Sequence, residues 1–90
     1  MDGGDEVVTS REYRLGVLRG IYVRHLRSRG NTISIYIKTR TELLAYTYLA
    51  KRGFISLEQE DAASLRFSVS LLQAGVDYIE SLEIKQGATV

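Results

Sequence analysis

No cysteine occurs among the 90 residues, so neither a disulfide framework nor a thiolate metal site can form. Proline is absent as well, and no position is barred from a helix on that account. His25 is the only histidine, with no carboxylates at ligand spacing beside it. It reads as a side chain in or at the edge of the core, and neither a metal nor a cofactor is expected. No apolar run approaches the ~18 residues of a membrane span. The acidic amino-terminal residues Asp2, Asp5 and Glu6 are unlike a signal peptide, so the expectation is a cytoplasmic chain without a membrane partner. The serines and threonines lack a partner base, and glycine loops of the phosphate-cradling kind are missing. A non-enzyme with no small-molecule substrate is expected.

What is present is the composition of one ordinary globular domain, 44% apolar and 26% charged. The net charge of +1 hides a split. Residues 7–56 carry ten basic side chains (Arg11, Arg14, Arg19, Arg24, Arg27, Arg29, Lys38, Arg40, Lys51, Arg52) against Glu12 and Glu42. Residues 57–90 carry Arg66 and Lys85 against six acids. A basic front half attracts polyanions. The plainer alternative is that the arginines solvate a long helix and cover apolar surface with their stems.

Residues 1–8 offer nothing to bury and read as a disordered lead-in. Thr9-Ser10-Arg11-Glu12 has capping-box spacing, with Thr9 as the acceptor. Leu15, Leu18, Ile21, Tyr22 and Leu26 then recur at helical steps, predicting a helix over 10–29 closed by Gly30-Asn31. Gly16 and Gly20 sit four apart on its other face, either for close approach of a partner backbone or simply tolerated. Ile33, Ile35 and Ile37 alternate with polar residues and predict a strand over 32–38, a short helix being the competing choice. Thr39-Arg40-Thr41-Glu42 opens a second helix to Arg52, closed by Gly53, with Tyr46 and Leu49 inward and Leu43 and Ala50 flanking. Phe54–Leu57 and Ser64–Leu71 predict a β-hairpin around a polar loop over 58–63. A last helix over 72–84 buries Val76, Ile79 and Leu82, followed by a flexible tail over 85–90. The fold class is α+β, in the order helix, strand, helix, hairpin, helix, within one domain over 9–84.

Two stretches carry a family likeness. Leu49-Ala50-Lys51-Arg52-Gly53-Phe54-Ile55 resembles the exit of a recognition helix into a wing. Leu71-Leu72-Gln73-Ala74-Gly75-Val76-Asp77-Tyr78-Ile79-Glu80 is similar to the "Leu-Thr-x-x-Gly-x-x-x-Leu-Glu" segment that follows the wing in small bacterial and archaeal regulators. Over about residues 10–84 the chain thus resembles the winged-helix family of helix-turn-helix domains. The departures are Leu72 in place of threonine, an acidic wing tip Glu58-Gln59-Glu60-Asp61, and too little chain between Gly30 and Gly53 for more than a shortened second helix.

The resemblance implies that the middle helix reads double-stranded DNA through Arg40, Thr41, Leu44, Thr47, Tyr48 and Lys51. Arg24, Arg27, Arg29 and Lys38 become phosphate-positioning candidates. Leu44 and Tyr48 are poor base readers and fit a protein contact, or core packing, equally well. The six tyrosines, interleaved with arginine, could stack on single-stranded bases but more commonly straddle core and surface. The expected function is a small DNA-binding transcriptional regulator, dimerising through its first or last helix. The alternative is a winged-helix interaction module, an accessory subunit of a nucleic-acid-processing assembly, with Gly16, Gly20, Leu44 and Tyr48 as its contact residues.

Overall fold

The computed structural model describes residues 9–61 and 63–87, with side chains described through Leu82. The lead-in over 1–8 and the end of the expected tail, 88–90, lie outside these residues. The element order is α1 (Arg11–Arg27), β1 (Ile33–Tyr36), α2 (Arg40–Lys51), β2 (Ile55–Gln59), β3 (Arg66–Leu71) and α3 (Gln73–Gly87). Three helices and a three-stranded antiparallel sheet of order β1-β3-β2 make an α+β fold. Ile37, Lys38 and Thr39 pass from strand to helix with no helical turn, so the shortened second helix is absent altogether. β1 is a strand, and the competing helix is set aside.

Sheet register follows from alternation. Ile33 pairs with Val69 and Ile35 with Phe67, while Ile55 pairs with Leu71 and Leu57 with Val69. All of these side chains join the core on one face of the sheet. The intervening Ser34, Tyr36, Ser56, Glu58, Arg66, Ser68 and Ser70 therefore share the other face. The first hairpin strand runs further than expected, from Ile55 through Gln59, the second starts two residues later than expected, at Arg66, and α3 continues past 84 to Gly87.

α1 starts one position later than the capping-box spacing suggests. Ser10, extended at φ −75° and ψ 160°, accepts the Tyr13 amide through its side chain. Thr9 is instead buried, its carbonyl and hydroxyl both taking Arg14 Nη1. Leu18 and Ile21 of α1 enter the core, with Val17 and Tyr22 packed against it. Leu26, expected in the stripe, is 58% exposed. It lies five residues beyond Ile21, roughly 140° around the helix, whereas half-buried His25 continues the inward face.

α2 carries a complete capping box: Thr39 accepts the Glu42 amide, and Glu42 accepts the Thr39 amide in return. Its buried residues are Ala45 and Leu49, with Tyr46 and Ala50 against the core. Leu43 turns out to be exposed rather than flanking. Gly53 closes the helix at φ +82°, a left-handed conformation that side chains disfavour. α3 buries Ile79 fully, with Val76 and Tyr78 against the core and Leu82 half-buried.

Candidate functional site

The outward face of α2 is set by its inward one. With Ala45 and Leu49 buried, Arg40, Thr41, Tyr48 and Lys51 project outward and Leu44 and Thr47 are half-buried. The only acid on the helix is Glu42, and its carboxylate is turned back onto the Lys38 and Thr39 amides at 3.0 and 3.3 Å. The exposed face of α2 therefore carries cations, hydroxyls and an aromatic ring, but no free acid.

At the carboxyl-terminal end of α2 this face opens into a cleft of about 70 Å³ between α1, α2 and α3. Leu15, Leu18, Leu49 and Phe54 form its apolar lining, and Arg11, Arg14 and Arg52 its cationic one. The Arg14 guanidinium lies over the Tyr48 ring at 4.0 Å and that of Arg52 at 5.9 Å, both within cation–π range. Phe54 and Tyr78 stack with centroids 4.8 Å apart and planes 16° from parallel. Arg11 Nη2 donates to the Tyr78 hydroxyl at 3.5 Å. Among the described residues, no carboxylate lines the cleft.

Comparison with protein-family models, curated proteins and solved structures finds no match. The chemistry of the site has to be read from its own geometry.

The residues singled out in the sequence are distributed over several places. Lys38 and Arg40 come together, lining an open groove with Leu43, Leu65 and Phe67. Arg24 stands elsewhere, beside a groove of about 130 Å³ walled by Gly16, Gly20, Ile33, Ile35 and Tyr46. The two glycines thus flank the packed face of α1 rather than oppose it, and a Cβ at either would meet open space. Burial raises the pKa of the Tyr46 hydroxyl from its ordinary value, with the Arg24 charge pulling the other way. Arg27 ends α1, where a cation suits the helix dipole, and Arg29 follows it in the turn at φ +60°. Thr41, Thr47 and Lys51 stay on the α2 face, Leu44 is half-buried, and Tyr48 enters the arginine cleft.

Sequence reasoning passed over Arg11, Arg14, Arg52, Phe54 and Tyr78. Arg52 and Tyr48 are four apart on and just past a helix, a spacing that signals contact. Arg14 and Tyr48 are 34 positions apart, and only the crossing of α1 over α2 joins them.

The acidic residues of the hairpin lie apart from the arginine cleft. Strand alternation sends Glu58 and Glu60 to the sheet face away from the helices. There Glu60 Oε2 accepts from the Ser34 and Ser68 hydroxyls at 3.0 Å each. Asp61 stays in the connecting turn, its carbonyl accepting the Ser64 amide at 2.9 Å. Arg66 shares the outer face, donating to the Tyr36 hydroxyl and lying 4.9 Å over its ring. The hydrogen bond to Tyr36 raises the pKa of this guanidinium further.

Proposed function

We propose that this chain is a small winged-helix DNA-binding domain, acting as a homodimeric transcriptional regulator whose α2 lies against the duplex. The carrying observation is the segregation of charge. The outward face of α2 bears Arg40 and Lys51 without a free carboxylate, and Arg14 and Arg52 extend it past Tyr48. Of the three carboxylates of the acidic wing tip, that of Glu60 is bonded to serines on the opposite face of the sheet. The sheet order β1-β3-β2 and the hairpin between α2 and α3 support the winged-helix reading. Arg40, Thr41, Thr47 and Lys51 make the duplex contacts, and Lys38, beside Arg40, takes a phosphate. Arg24, Arg27 and Arg29 belong to the far end of α1 and act only as a diffuse attraction.

Fluorescence anisotropy of a labelled duplex at about 50 mM salt tests this, since phosphate contacts make affinity steeply salt-dependent. The expected result is binding whose salt slope falls by about one for each of Arg40→Gln and Lys51→Gln. Absence of binding, or binding that ignores both substitutions, refutes it.

A second reading has its own support. With no helix between β1 and α2 the helix-turn-helix unit is incomplete, and the groove beside Gly16 and Gly20 is open to an approaching backbone. As an interaction module in a larger nucleic-acid-processing assembly, the chain would use that groove. A Gly16→Trp variant would then lose its protein partner while its duplex affinity stayed unchanged.

A further inference from the structure

We propose that the cleft formed by Arg11, Arg14 and Arg52 is a phosphoryl-binding site. This deepens the DNA-binding reading by giving one phosphate a defined seat, but it stands on geometry separate from Arg40 and Lys51.

Three guanidinium groups share one small cleft with no carboxylate among its described lining residues. Cations brought together in this way repel one another, and the apolar lining sharpens the effect: Leu18 is 1% and Leu49 3% exposed, so little water screens that side. An anion placed between the cations turns this repulsion into attraction.

Among the described residues, the groups that hold two of the guanidiniums are neutral and leave their charge uncompensated. Arg14 is pinned by the Thr9 carbonyl and hydroxyl and by the face of Tyr48. Arg11 is held by the Tyr78 hydroxyl, on a ring itself fixed by stacking against Phe54. Arg52 follows the last residue of α2, with its guanidinium on the Tyr48 side of the cleft. Side chains ordered before the ligand arrives lose little freedom on binding it.

The chemistry selects the ligand class. Guanidinium forks match the oxygens of phosphate and carboxylate. A carboxylate offers two oxygens in one plane, whereas three cations approaching from α1 and from the end of α2 suit the tetrahedral oxygens of a phosphoryl group. The volume of about 70 Å³ admits one such group and is well below the roughly 300 Å³ or more of clefts that take drug-sized ligands. The phosphoryl group comes either from a nucleic-acid backbone or from a free phosphate monoester.

The test is an NMR titration following the arginine Nε–Hε signals of the full chain. Inorganic phosphate is added against sodium chloride at matched ionic strength, and a short duplex is added in a separate series. Saturable phosphate-specific shifts are expected at Arg11, Arg14 and Arg52, with Arg66, on the outer face of the sheet, unmoved. Arg14→Gln and Arg52→Gln should each weaken phosphate binding by about tenfold or more, the effect of losing one charge-assisted contact. Arg66→Gln, on the outer face of the sheet, should leave it unchanged. Arg52 is exposed just past α2, so its variant remains informative even if Arg14→Gln fails to fold.

A duplex that moves the same signals and is displaced by phosphate assigns the site to the nucleic-acid backbone. Phosphate shifts without a duplex response at these signals assign it to a monoester, and the site then stands whatever the anisotropy titration of Arg40→Gln and Lys51→Gln says of the duplex. Shifts no larger than those from chloride, or shifts that persist unchanged in both cleft variants, overturn the proposal.

Discussion

Three glycines in helices meet opposite surroundings, and the difference decides what a methyl group would do at each. A Cβ on Gly75 would fall 2.4 Å from the Phe54 carbonyl oxygen and 2.7 Å from Leu71 Cδ1. That same carbonyl accepts the Leu72 amide at 2.9 Å, so it is fixed in place and cannot retreat cheaply. Gly75→Ala should therefore cost about 1–3 kcal/mol of overpacking, outweighing the gain of about 1 kcal/mol in helix propensity. At Gly16 and Gly20 nothing lies within 4 Å, and alanine should stabilise α1 by about 0.5–1 kcal/mol at each position. Urea denaturation of the three variants gives the answer, and a Gly75→Ala midpoint at or above that of the parent protein would contradict the close approach. The requirement for glycine at position 75 is steric: the first turn of α3 lies against the backbone leaving α2.

At the scale of elements, periodicity and the α2 cap were readable while the α1 cap and the tertiary crossings were not. The order of the six elements follows from three cues: the helical steps of Leu18 and Ile21, the alternation of Ile33 and Ile35, and the glycine at position 53. The misplaced details have local causes. Ser10 rather than Thr9 caps α1 because Arg14 occupies Thr9, a contact with no signature at the level of spacing. Leu26 belonged to the stripe by composition but not by angle. The arginine cleft was invisible because its residues come from α1, the end of α2 and α3, which only folding brings together. The α2 cap was legible, and it bears directly on the proposed site because it disposes of the one acid on that helix. Thr39→Ala removes the acceptor for the Glu42 amide and should destabilise the domain by about 0.5–2 kcal/mol. Thr39→Ser, which keeps the hydroxyl, should restore most of it. Thermal melts of the pair measure this, and equal melting of alanine, serine and parent forms would show that the cap contributes nothing.

For the molecule as a whole, the small size of the core makes α3 decisive. A domain of this length is stable by about 5–15 kcal/mol in total, so one core side chain can represent a large share. Ile79 of α3 is fully buried, and it shares a cluster with Leu18 and Ile21 of α1 and with the sheet residues Ile35, Ile55 and Val69. Around it α3 is held by the Phe54–Tyr78 stack and by the Tyr22 hydroxyl donating to Glu80 at 2.9 Å. Ile79→Ala should cost about 2–5 kcal/mol, the lost burial plus the cavity left behind. Because Tyr78 is the adjacent residue and holds Arg11, loosening α3 should reach the cleft before the domain unfolds globally. The expected outcome is a urea midpoint well below that of the parent with an unchanged m-value, the sign of lost stability without loss of two-state behaviour. Under native conditions the Arg11 Nε signal should also broaden. A midpoint shift equivalent to less than about 1 kcal/mol would mean that α3 is peripheral to the core. The cleft would then have to be held by α1 and α2 alone.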